Sequence, residues 1–164
     1  MTDEAPEGML PTAATNSVDT TSVDRKSVDN REIVRRFLLA LEAEDIDTVE
    51  SLAAPELVWQ NVGLPSIRGR RRIVTMLRKG VGRYGFAVKF HRITAEGGTV
   101  LNERTDAIII GPLRLQFWVC GIFEVDDAGQ ITLWRDYFDM LDVMVKAPLR
   151  AIAGAVIPAL RPRF

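Results

Sequence analysis

Cysteine and histidine are nearly absent from this chain: Cys120 and His91 are the single instances of each in 164 residues. One thiol cannot build a disulfide framework within a chain, and a Cys/His zinc site lacks its ligands, so no metal is expected. Excess charge of one sign is missing as well. The net charge is −1 and the pI about 5.9, which argues against an electrostatic grip on nucleic acid and fits a small neutral or apolar ligand better. No stretch approaches the roughly 18 apolar residues of a spanning helix, so stable membrane insertion is not expected. The N-terminal MTDEAPEGMLPTAATNS lacks the basic and apolar regions of a secretory signal. Together with a lone thiol suited to a reducing compartment, this makes a cytoplasmic location the expectation.

What is present is an ordinary globular composition, 47% apolar and 26% charged, with length for one domain and a real core. Residues 1–28 are rich in Thr, Ser, Ala, Asp and Pro and repeat SVD from Ser17, Ser22 and Ser27. Such a segment buries too little surface to offset its ordering entropy, so a disordered tail is expected there. Residues 29–150 read as the folded domain. Asp29 or Asn30 is placed to cap a helix whose Ile33, Val34, Phe37, Leu38 and Leu41 recur at helical spacing. Asp45 opens a second short helix with Val49 and Leu52 inward, and Pro55 closes it. A strand is expected over Leu57–Val62, then a helix from RGRRRIVTMLRKGVGRYG with Ile73, Met76 and Leu77 inside. Four strand-like segments follow, separated by Gly97-Gly98, Gly111-Pro112 and Asp126–Gly129. Helices first and strands after argue for an α+β fold: a curved mixed or antiparallel sheet forming a cone around an apolar pocket, with helices on its concave side. Residues 151–164 form an apolar, basic tail. The wider segment VKAPLRAIAGAVIPALRPRF is expected to cap the pocket or extend a dimer interface, since its few bases and short apolar pattern suit a membrane surface less well.

Two strands break the inside/outside rule. In NERTDAIII, Arg104, Asp106, Ile108 and Ile110 share one face of a segment whose isoleucines suggest burial. Alternation leaves two readings open, an inward pair or a solvated edge salt bridge. In LWRDYFD, Asp136 lies between Trp134 and Phe138; shifting the register to expose Asp136 would expose both aromatics, so the inward placement is expected. In LVWQNV, Trp59 and Asn61 share a face. His91 reads as structural or exposed, and Cys120 as a small buried hydrophobe. Two inward carboxylates cannot both ionise cheaply, so one proton stays in the site, and an arginine between them stabilises the ionised partner. That arrangement supplies one acid and one base near neutral pH.

The elements WQNVGLP, NERTDAIII and LWRDYFDM, in this order and joined by a strand ending CGIFEV, resemble the limonene-1,2-epoxide hydrolase family over about residues 30–150. The resemblance implies an NTF2-like (cystatin-like) fold, a homodimer, and cofactor-free, one-step hydrolysis of a hydrophobic epoxide by water to a vicinal diol. It implies that Asp136 is the base, Asp106 the acid, Arg104 the bridge between them, and Asn61 a holder of the attacking water. Trp59 stands where the family usually has Tyr; an indole N–H donates but does not accept, so the water's orientation falls more on Asn61 and Asp136. By parity, Leu38, Leu41, Ile108, Phe117, Val119 and Phe138 are expected to wall the substrate pocket. The competing readings are an isomerase or cyclase on the same cone, in which one Asp removes a carbon-bound proton, and a non-catalytic lipophile-binding module. The complete set of Arg104, Asp106, Asp136 and Asn61 favours hydrolysis over both, since a mere binding pocket gains nothing from two buried carboxylates.

Overall fold

The computed structural model describes residues 20–161. Two helices lead, α1 (Thr20–Glu42) and α2 (Ile46–Leu52), followed by β1 (Ala53–Asn61), the short β2 (Ile67–Arg68) and α3 (Arg70–Gly80). Four long strands then run as a meander: β3 (Gly85–Glu96), β4 (Thr99–Ile110), β5 (Leu113–Val125) and β6 (Ile131–Tyr137). A π-helical turn at Asp142–Lys146 leads into α4 (Ala147–Val156).

Among the described residues the strands form one six-stranded sheet in the order β2-β1-β6-β5-β4-β3. Every neighbouring pair is antiparallel except β1 with β6, so the sheet is mixed. The fold is the α+β, NTF2-like arrangement expected, with a curved, unclosed sheet. Register shifts between Phe90 and Arg92 in β3, and between Ala53 and Val58 in β1, interrupt the ladders, and such bulges bend a sheet. Pro55 sits inside the β1 irregularity, where a residue without an N–H is tolerated.

The concave face is filled by α1. Val34, Phe37 and Leu38 are buried against Val88, Val100, Phe123 and Trp134 of the sheet in one apolar cluster. Each such large side chain contributes roughly 1.5–3 kcal/mol on burial, enough to hold a helix whose own sequence is only moderately helix-prone. Phe37 meets Trp134 edge to face at 5.3 Å between centroids, which sets the depth of the helix over β6. Asp45 caps α2 by accepting from the Thr48 N–H at 3.0 Å, as its position suggests.

Several expectations need correction. Helix α1 begins at Thr20, so neither Asp29 nor Asn30 is its cap, and residues 20–28 belong to the helix rather than to a tail. Asn30 instead donates through Nδ2 to the Gly97 carbonyl at 2.7 Å, tying α1 to the β3–β4 turn. Of the SVD repeats, the one starting at Ser17 lies outside the described residues, while those starting at Ser22 and Ser27 fall in α1. In α3 the buried pair is Ile73 and Val74, with Met76 only half-buried. Cys120 is exposed, because β5 turns its even-numbered residues outward beside the half-exposed Trp118. His91 is also exposed and lies flat on Trp118, 4.4 Å between centroids, while sharing a hydrogen bond with Thr105 Oγ1. Among the described residues, the C-terminal segment from residue 145 onward does not line the pocket. Helix α4 packs on β5 through its small residues Ala147, Ala151 and Gly154, and the boundary expected at residue 151 falls inside it.

Candidate active site

The mixed topology assembles the site. Parallel pairing sets Trp59 opposite Trp134 and Asn61 opposite Asp136, although about 75 residues separate the two strands in sequence. The Val62 N–H donates to the Asp136 carbonyl at 2.9 Å, locking the ends of β1 and β6 together. Antiparallel pairing on the other side brings β4 within reach across β5. Trp59, Asn61, Asp106, Asp136, Ile108 and Phe138 thereby line one cavity of about 290 Å³ in the mouth of the cone.

Behind that cavity lies a fully enclosed ion network. Arg104 has no solvent exposure, and Asp106 and Asp136 are 4% and 5% exposed, which excludes the solvated-edge reading of this pair. The Arg104 Nε–H is shared between Asp106 Oδ1 and Oδ2 at 2.9 and 3.1 Å, and Nη2 donates to Asp136 Oδ1 at 2.6 Å. Its Nη1 donates to Asn102 Oδ1 at 2.6 Å. Trp134 closes the set, its Nε1–H reaching Asp136 Oδ2 at 2.7 Å.

The two carboxylates are held differently. Asp136 receives a separate donor on each oxygen, from Arg104 and Trp134, whereas Asp106 shares one N–H between both of its oxygens. Burial raises both above the ordinary range, and Arg104 opposes the shift in each case. Asp106 is pushed up to about 6. The Trp134 hydrogen bond favours the ionised form of Asp136 as well. Arg104 stays charged because the two carboxylates outweigh the cost of its burial. Geometry therefore points to Asp136 as the ionised partner and Asp106 as the carrier of the retained proton.

Of the expected pocket wall, Leu41, Ile108, Phe117, Val119 and Phe138 line the cavity. Leu38 does not: it is fully buried in the core, its side of α1 turned into the sheet. Phe138 lies just beyond the end of β6 and packs edge-on against Phe117 at 5.9 Å. Trp59 stacks on Trp134 at 4.5 Å with an interplanar angle of 12°, and its buried Nε1–H finds no acceptor among the described residues. Further apolar wall comes from Ile46, Leu77, Phe86 and Val143, with Glu44 and Tyr84 as polar-tipped residues beside them. Glu44 adopts a left-handed φ of 56° and accepts from the Gly82 N–H, joining the α1–α2 and α3–β3 loops beside the cavity. Among the described residues, no three His, Cys, Asp or Glu side chains cluster as metal ligands.

Two contributors escaped the sequence reading. Alternation marks Trp134 only as an aromatic flank of Asp136, yet its indole N–H donates to the carboxylate; a Trp two residues away on the same strand face is the signal. Asn102 shares the parity of Arg104 and Asp106, and that 102–104–106 pattern could have found it.

The chain is similar to known proteins both in sequence and in fold. Residues 28–150 match the family model of the limonene-1,2-epoxide hydrolase catalytic domain. The epoxide hydrolase EphG of Mycobacterium tuberculosis is 59% identical over 128 residues, 78% of this chain and 85% of that protein. The structure of an M. tuberculosis LEH-like epoxide hydrolase superposes with a TM-score of 0.81 at 54% identity, covering 84% of this chain and 97% of that one. A putative ketosteroid isomerase from Kribbella flavida shares the fold at a TM-score of 0.58 and 16% identity, over 70% of this chain and 80% of its own.

Proposed function

The chain belongs to the limonene-1,2-epoxide hydrolase family and is an epoxide hydrolase, and from that premise we propose that it adds water to a hydrophobic epoxide in one step, with Asp136 as base and Asp106 as acid. The observation that carries the assignment is the buried Arg104 touching both carboxylates while, among the described residues, only Asp136 receives a second donor.

An epoxide is strained, and its opening needs an incoming nucleophile and a protonated leaving oxygen at the same moment. Asp136 takes a proton from water as the water oxygen attacks a ring carbon. The carbon–oxygen bond on that carbon breaks, and the departing oxygen takes the proton of Asp106. The diol leaves with Asp136 protonated and Asp106 ionised; transfer of that proton between the two carboxyls restores the starting state. Arg104 keeps one positive charge against one negative charge throughout, so no uncompensated charge is buried at any stage. No step requires a metal or cofactor.

Water would sit where Asn61 and Asp136 adjoin at the end of the parallel pair. The unpaired indole N–H of Trp59 supports a donor role toward it. A water that accepts from Trp59 directs its two protons to the Asn61 carbonyl and Asp136, leaving one lone pair for attack. The substrate is apolar, since Leu41, Leu77, Phe86, Ile108, Phe117 and Val119 supply most of its surroundings. A cytoplasmic homodimer is part of the same reading. Helix α4 supports self-pairing by turning Leu149, Ile152 and Val156 outward, at 62%, 54% and 76% exposure.

The test is turnover of a bulky apolar epoxide by purified protein treated with chelator, alongside Asp106→Asn and Asp136→Asn. The wild type is expected to yield the diol and each variant to lose at least about a thousandfold in kcat while staying folded. Near-wild-type rates in both variants would remove the acid/base assignment.

A further inference from the structure

Register across the sheet places four residues in one transverse row. Asn102 of β4 faces Gly121 of β5, Gly121 faces Asp136 of β6, and Asp136 faces Asn61 of β1. Arg104 and Asp106 lie on β4, so a guanidinium that touches both Asp106 and Asp136 has to cross β5. Any side chain on β5 at the crossing point blocks it. The residue there is Gly121, buried in the middle of a strand where glycine weakens the ladder.

Gly121 is not among the glycines with a left-handed φ, so no turn or bulge explains it. Close approach does. A Cβ at position 121 would stand 2.3 Å from Arg104 Nη1, and 2.8 and 2.9 Å from Asn102 Oδ1 and Nδ2. The space a side chain would fill is occupied by the guanidinium. Beyond it, the 5% exposed Asn102 accepts from Nη1 at 2.6 Å. A carbonyl oxygen satisfies this buried charged donor without adding a third negative charge beside Asp106 and Asp136.

We infer that Asn102 and Gly121 are positioning residues of the epoxide-opening site: Gly121 vacates the sheet face so that Arg104 can span β4 to β6, and Asn102 pins the far end of the guanidinium. Neither touches the cavity, and both act through Arg104. The inference rests on the acid/base reading above and adds to it the reason one arginine reaches both carboxyls.

The test is the pH dependence of kcat and KM for Asn102→Ala, Asn102→Asp and Gly121→Ala, with Asp136→Asn as reference. Asn102→Ala is expected to lower kcat about tenfold or more with KM nearly unchanged, because the guanidinium loses its far anchor. Asn102→Asp sets a third carboxylate against Arg104, whose described charged neighbours are Asp106 and Asp136; both limbs of the pH profile should move up by about one unit. Gly121→Ala should cost kcat more than Asn102→Ala, and if it fails to fold the Asn102 variants decide alone. A merely structural role would lower thermal stability and leave the pH limbs in place. Unshifted limbs and wild-type kcat in both Asn102 variants, beside an inactive Asp136→Asn, overturn this inference alone. An active Asp136→Asn overturns the acid/base reading itself.

Discussion

Trp134→Phe isolates the second donor on the base. The indole is held by stacking on Trp59 at 4.5 Å and by edge contact with Phe37 at 5.3 Å, so a phenyl ring keeps most of that packing. What it removes is the 2.7 Å bond from Nε1 to Asp136 Oδ2. Hydrogen bonds to buried charged groups are worth about 1.5–3 kcal/mol net. At 1.36 kcal/mol per unit, their loss raises the Asp136 pKa by about one to two units. The sign follows from the bond's preference for the ionised carboxylate: without it, Asp136 stays protonated to higher pH. The acid limb of kcat/KM against pH therefore moves upward by that amount, and activity below it falls about tenfold or more. The assay is initial-rate diol formation from pH 4 to 9, with circular dichroism confirming the fold at each pH. An acid limb at its wild-type position would refute the donor role, even if the overall rate had dropped through altered packing.

Other outcomes follow from the same geometry. Asp106 has a folded pKa raised to about 6 from an unfolded 3.8, so the folded state binds more protons between these values and stability falls as pH rises through that window. The loss is roughly 3 kcal/mol, and urea unfolding at pH 4 and pH 7 should show a smaller pH-dependent drop in Asp106→Asn than in wild type; equal drops would contradict the assignment. Trp59→Phe deletes the N–H available to water and should lower kcat about tenfold, whereas Trp59→Tyr restores a donor and should recover much of it; equal rates in both would show that the indole N–H plays no part. Leu149→Glu with Ile152→Glu should convert a dimer to monomers in light scattering, and an unchanged mass would remove α4 from the interface.

The legible parts of this protein were those governed by local periodicity. Two-residue alternation puts Asp136 inside, because an outward register would expose Trp134 and Phe138, but it leaves Arg104 and Asp106 open between an inward pair and a solvated edge until their burial decides it. Turn glycines marked the β3–β6 meander closely. Pairing of β1 with β6 was not legible, since nothing local records a parallel contact between distant strands, and only the family resemblance joined Asn61 to Asp136. Leu38 and Leu41 show the limit of helical spacing: both lie on the buried side of α1, but one meets the sheet and the other the cavity. Cys120 departs from the general tendency of cysteine toward burial because strand parity puts it with exposed Trp118 rather than with buried Val119. The start of α1 is not legible in the sequence because residues 20–29 carry almost no large apolar residue to mark a helical face.

The most direct test of one-step hydrolysis by Asp136 and Asp106 is a single turnover in oxygen-labelled water with enzyme in excess, followed by mass spectrometry of diol and protein. The account predicts that the first diol carries the label and that peptides containing Asp106 and Asp136 carry none. Unlabelled diol with label in either aspartate would mean that a carboxylate attacked the ring and that water only hydrolysed the resulting ester.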